Sequence, residues 1–204
     1  MALFLKGCVL GLSIAAPVGP IGVLCIRRSI TEGRLVGFVS GLGAATADAC
    51  YGVLAAAGLT VVAGFLVRQQ TWLGLVGGVF LCWLGWSTFR SRPADHAASV
   101  DARGLGSAYI TTLALTLTNP MTILSFAAFF AGAGLGDAAG SPAAAALLVA
   151  GVFAGSAGWW LVLSLIAGAF RDRFDATWHR GLNRASGIVI AGFGLWQLLR
   201  LVRG

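Results

Sequence analysis

The chain has 204 residues, of which 58% are hydrophobic and only 10% charged, with mean hydropathy +0.88. A soluble domain carries about 25% charged residues, so a soluble protein is excluded and an all-α integral membrane protein is expected. The net charge of +7 does not point to nucleic acid, because the basic residues sit between apolar segments, where topology and anionic headgroups account for them.

In chain order, apolar stretches near the roughly 20 residues that cross a bilayer predict six spans. The first covers about 4–26 and is broken between Pro17 and Pro20. Lys6 followed by an apolar run resembles a signal peptide, but Pro17 lies beside the only plausible cleavage point, and the repeat described below needs this segment. The second span covers about 35–59. Residues 60–67 stay apolar, and one helix over 35–67 would measure about 50 Å against a core of about 30 Å. A bend or turn near Gly58 or Gly64 is therefore expected. The third span covers about 72–90. The fourth, about 107–131, is broken at Asn119-Pro120. The fifth covers about 143–169 and the sixth about 186–202.

The two halves align. Pro20 falls on Pro120 and Gly41 on Gly151, while Gly78 and Gly85 fall on Gly187 and Gly194. Three spans per half force the halves to enter the membrane in opposite senses, giving an inverted-topology repeat. The expectation is one transmembrane domain over 1–204. Repeat one covers about 1–92, repeat two about 104–204, and a cytoplasmic linker about 91–106. Loops one, three and five carry Arg27, Arg28, Arg34, Arg90, Arg92, Arg103, Arg171, Arg173, Arg180 and Arg184. The opposite side carries only Lys6, Arg68, Arg200 and Arg203. The positive-inside rule then places both termini outside.

Asp48 is the only acidic residue within a predicted span. A charge at that depth costs about 2.5–3.5 kcal/mol on insertion scales. Most of its helical neighbours are small (Gly41, Ala44, Ala45, Gly52, Ala55), which turns this face toward other helices. It is a candidate ligand for a substrate ammonium, a proton, or both, with a hydrogen-bonded structural carboxyl as the plainer reading. Its cavity is expected to face inward. The breaks supply complementary chemistry. Interrupted helices free backbone groups that only protein or a water-filled cavity can receive, and a half-helix N-terminus suits a carboxylate. Pro17, Gly19, Pro20, Thr118, Asn119 and Pro120 are therefore candidate site residues, with Thr116 as a further donor and acceptor. Tyr51 and Trp159 or Trp160 are candidates to line the site, although such aromatics often only pack or anchor. His96 and His179 read as loop residues. Cys8, Cys25, Cys50 and Cys82 have no metal-ligand spacing and read as reduced packing residues.

These residues resemble the LysE/RhtB family of amino-acid exporters over essentially the whole chain. Ala16-Pro17-Val18-Gly19-Pro20, running into Arg27-Arg28 and Gly33, is similar to the family's Pro-Gly-Pro segment and basic turn, with a valine inserted. Gly41-Leu42-Gly43-Ala44-Ala45 leading to Asp48 resembles its second span, and Leu117-Thr118-Asn119-Pro120 its Asn-Pro segment. The resemblance implies a secondary transporter that exports amino acids or close derivatives across the cytoplasmic (inner) membrane, usually by proton antiport. The implied partners are an amino-acid substrate, protons and the bilayer, with a homo-oligomer left open. The family covers basic, neutral and hydroxylated substrates.

The alternative is a divalent-metal or other small-cation exporter of related fold, which would want several oxygen or imidazole ligands at the site. A membrane thiol–disulfide conduit would need a cysteine in each half, and spans four to six have none. No nucleophile–base pair or nucleotide-binding loop is visible, so neither an enzyme nor a cofactor is expected.

Overall fold

The structure is a computed structural model that describes residues 1–17, 19–56, 68–91, 102–133, 141–171 and 176–203. The expected bend near Gly58 or Gly64, His96, and most of the 91–106 linker lie outside them. The described residues form an all-helical protein of eight helices: α1 (Ala2–Ala15), α2 (Pro20–Thr31), α3 (Arg34–Ala56), α4 (Gln70–Arg90), α5 (Ala102–Leu117), α6 (Pro120–Ala133), α7 (Pro142–Gly168) and α8 (Ala176–Arg203).

Local chemistry explains several boundaries. Pro20, Pro120 and Pro142 each open a helix, where a missing N–H costs nothing and the fixed φ suits the first turn. Ser141 caps α7 by accepting from the Ala144 amide at 3.2 Å. Gly33 ends α2 with φ +111°, and its amide donates to the Arg28 carbonyl at 3.0 Å. That backbone conformation favours glycine, which gives the glycine after the basic pair its reason.

Three helices are long and apolar enough to cross a membrane, within Gln70–Arg90, Pro142–Gly168 and Thr177–Val202. The pair α1 and α2, bent by 86° across its break, makes a fourth candidate span. α3 and the α5–α6 pair, which the sequence reading counts as spans two and four, fall short of that measure within the described residues. In α3, Asp48 and the spaced Gly37, Gly41, Gly43 and Gly52 lower the mean hydropathy. Outer faces are apolar, with Val76, Val79, Trp83, Ile188 and Leu195 all exposed, as lipid requires.

Packing runs through small residues, as expected where helices associate by close approach. α1 lies along α7, with Gly7 and Gly11 against Leu148–Ser156 and with Gly151 and Gly155 against Phe4–Cys8. α5 lies along α3, where Gly43 sits under the Tyr109 carbonyl and Tyr109 donates to Thr46 at 2.9 Å. α4 crosses α8 at Gly78 against Gly194 and Gly85 against Gly187. The core between these pairs holds Leu24 and Cys25 of α2, Ala44 and Ala45 of α3, Leu115 of α5, Trp160 of α7 and Ile190 of α8.

The sequence reading ends the first span near residue 26 and puts Arg27 and Arg28 in a loop. In the structure α2 continues to Thr31, and both arginines are 8% exposed. The reading likewise starts the sixth span near 186, whereas α8 begins at Ala176. In both places polar residues that look like loop in one dimension face other helices in three.

Candidate functional site

At the first break, the Ala16 amide closes α1 on Leu12 and the backbone then leaves the helix. Gly19 is extended and caps α2, with Pro20 next. The first helical bond of α2 runs from the Val23 amide to Gly19. The amides of Ile21 and Gly22 come before it, as the first donors of any helix do. At the second break, α5 stops at Leu117, and the Asn119 side chain accepts from the Met121 amide at 3.0 Å. The Leu117 carbonyl accepts from the Tyr51 hydroxyl at 2.7 Å.

Asp48 faces both breaks from α3. It is only 3% exposed. Its Oδ2 accepts from the Ser156 hydroxyl of α7 at 2.7 Å, and Ser156 in turn accepts from the Trp160 indole at 3.2 Å. Gly41 lets Trp160 in, because a Cβ at Gly41 would collide with the Trp160 Cβ. A chamber of about 70 Å³ joins Asp48 and Ala44 to Pro17, Gly19, Pro20, Ile21 and Gly22 on one side. On the other side it touches Thr116, Asn119, Thr122 and Trp160.

Two further chambers share lining residues in succession with it. One of about 320 Å³ shares Pro17, Gly19, Pro20, Asn119 and Thr122 with it and reaches Leu81, Phe193 and Gln197. The next, about 210 Å³, shares Met121, Trp196 and Gln197 with the second and adds Pro120, Gln70 and Arg200. The three run toward the start of α4 and the end of α8. The charge count expects that end, with the C-terminus, to be outside. On the other side of Asp48, Leu24 and Cys25 are fully buried.

Beyond that apolar plug lies a polar layer that sequence reasoning missed. One Nη of Arg28 donates to Ser40 Oγ at 2.9 Å, to the Ala108 carbonyl at 3.0 Å and to Thr112 Oγ1 at 3.2 Å. Arg27 Nε donates to Asn183 at 2.8 Å, and its guanidinium pairs with Glu32 at 3.2 Å. These contacts join α2 to α3, α5 and α8. The available signal was the set Ser40, Thr112 and Asn183, polar residues inside or beside apolar stretches that need partners when buried.

Of the residues singled out from sequence, Asp48, Pro17, Gly19, Pro20, Thr116, Asn119 and Trp160 meet at one chamber. Pro120 lines only the outermost of the three. Tyr51 is buried and sits 5.3 Å from the Phe126 ring, and together with Thr118 and Trp159 it stands outside the three chambers. Ser156 was legible only as one of a run of small residues. Among the described residues no group of three or more His, Cys, Asp or Glu could hold a metal ion.

The family model described as LysE type translocator matches residues 12–200. YcgF of Bacillus subtilis (strain 168), provisionally named an amino acid efflux protein, is 30% identical over 202 residues, covering 96% of this chain and 95% of its own. The chemotactic transduction protein ChpE of Pseudomonas aeruginosa is 25% identical over 194 residues, covering 94% and 95%. The threonine efflux protein of Escherichia coli (strain K12) is 22% identical over 204 residues, covering 98% of each. No solved structure matches.

Proposed function

We propose that this chain, which belongs to the LysE type translocator family, is a secondary transporter and not an enzyme, exporting amino acids across the cytoplasmic membrane in exchange for protons. Relatives of nearly the same length are named for amino acid and threonine efflux. The observation that carries the reading is Asp48, buried where both broken helices meet a small chamber.

The chemistry suits a zwitterion. A buried carboxylate needs a proton or a cation as partner, and among the described residues the hydrogen-bond donor placed on Asp48, Ser156, is neutral. A substrate ammonium at Asp48 would fill that need. The substrate carboxylate would lie against the start of α2, where the Ile21 and Gly22 amides precede the first helical bond and the helix dipole favours negative charge. The start of α6 is less available, since Asn119 already caps it. Exchange follows from competition for one site. An arriving ammonium displaces the proton from Asp48, and an arriving proton releases the ammonium.

An inverted six-span repeat accommodates this cycle. The sequence alignment equates Gly78 with Gly187 and Gly85 with Gly194. Exchanging the halves therefore turns the Gly78–Gly194 contact into the Gly187–Gly85 contact, and both are present. The α1–α7 and α5–α3 packings exchange in the same way. With the termini outside, the chambers lead outward, and Leu24, Cys25 and the arginine layer close the cytoplasmic side.

The test is transport into proteoliposomes under an imposed pH gradient, with a panel of labelled amino acids. Asp48→Asn keeps the shape and removes the charge. It should insert and fold yet lose pH-driven exchange, and wild-type rates with the wild-type pH response would make Asp48 structural.

A further inference from the structure

The chamber at Asp48, at about 70 Å³, is the smallest of the three, against about 320 Å³ and about 210 Å³ for the others. Its Asp48 and helix start suit the ammonium and carboxylate of a zwitterion, and the larger space beside it suits a side chain. The adjoining chamber of about 320 Å³ opens from the same two breaks, through Pro17, Gly19, Pro20, Asn119 and Thr122. A zwitterion held between Asp48 and the start of α2 therefore has a roomy neighbour into which its side chain can point.

The walls of that neighbour are informative. Ile14, Leu81, Met121, Phe193 and Trp196 supply apolar surface. Its polar members, Asn119, Thr122, Ser125 and Gln197, are uncharged. Gln197 is buried and already committed, its amide donating to the Gly74 carbonyl at 2.6 Å. Among the described residues, no acidic or basic side chain lines the chamber. A lysine or arginine side chain would leave its cation unpaired there, and a glutamate its anion, each a heavy desolvation cost. A methyl or hydroxyethyl side chain would leave most of the apolar surface unfilled.

We propose that this second chamber is the substrate's side-chain pocket and selects neutral amino acids with bulky apolar side chains, of the leucine, methionine and phenylalanine class. The assignment rests on the export reading above, because it takes the Asp48 chamber as the α-amino and α-carboxyl site. Leu81 and Phe193 set the depth of the pocket, and Ser125 of α6 is the small residue that leaves it open.

Counterflow in proteoliposomes of the full chain tests this with labelled leucine, methionine, phenylalanine, alanine, threonine, lysine and glutamate. Leucine should exceed alanine by at least about tenfold, since a single methylene in such a pocket is worth roughly tenfold or more and leucine has three more carbons. It should exceed lysine and glutamate by more. Ser125→Phe, which fills the pocket, should lower the leucine-to-alanine ratio at least tenfold. Phe193→Ala, which deepens it, should raise phenylalanine relative to leucine and decides the matter if Ser125→Phe fails to insert. Lysine, glutamate or threonine carried as well as leucine would overturn the side-chain assignment and leave the export reading standing. So would ratios unmoved by the substitutions, as expected if the pocket holds only a lipid tail. Transport of no amino acid would overturn both readings.

Discussion

Ser156→Ala isolates the interaction on which the proposed site depends. The substitution removes the hydroxyl that donates to Asp48 at 2.7 Å and accepts from Trp160 at 3.2 Å. Hydrogen bonds to charged groups are worth about 1.5–3 kcal/mol in soluble proteins, whereas couplings between membrane helices average about 0.6 and reach about 1.7 kcal/mol. Ser156 is fully buried and faces Asp48 from α7, and the bond is to a carboxyl that carries charge for part of the proposed cycle, so a value near the overlap of the two ranges applies. A coupling of about 2 kcal/mol corresponds to about thirtyfold in an equilibrium constant. The assay is a double-mutant cycle with Asp48→Ala, read by reversible unfolding in micelles. There Ser156→Ala should matter far less once Asp48 is gone. Single effects that add to within about 0.3–0.5 kcal/mol, the behaviour of independent sites, would refute the claim that Ser156 acts through Asp48.

Other outcomes are expected. At the α4–α8 crossing, a Cβ on Gly85 would meet the Ala191 amide at 2.5 Å and the Gly187 carbonyl at 2.7 Å. Gly85→Val should push the helices apart and lower thermal stability by about 1–3 kcal/mol, and an unchanged melting temperature would contradict the packing. Gly33→Ala puts a side chain at φ +111° and within 2.8 Å of the Arg171 guanidinium. A loss of about 1–3 kcal/mol is expected, read by the same thermal assay. On a cysteine-free background, an impermeant thiol reagent outside the cell should miss cysteines at positions 97 and 177 and label one at 138, whereas the opposite pattern would reverse the proposed orientation. Arg28→Gln removes the charge that bonds to α3 and α5, and should raise substrate leak in the absence of a pH gradient, measured as passive efflux from loaded vesicles.

Much of this protein was legible in one dimension. Apolar composition dictated helices, because a bilayer offers no partner for an unpaired peptide group. Prolines located both interruptions, since a residue without an N–H opens a helix and does not sit within one. Asp48 stood out because a lone carboxylate in an apolar span is costly. Only the tertiary structure decided what meets Asp48. Ser156 lies 108 residues away, and as a single hydroxyl in a run of small residues it has no signature until two helices pack. The same holds for Arg27 and Arg28, whose charges are strong loop signals in sequence and whose burial depends on Ser40, Ala108, Thr112 and Asn183 arriving from three other helices. Periodicity and breaks are properties of a segment and its solvent, so sequence carries them. Partners for buried polar groups are properties of an assembly of segments, and only the packed fold supplies them.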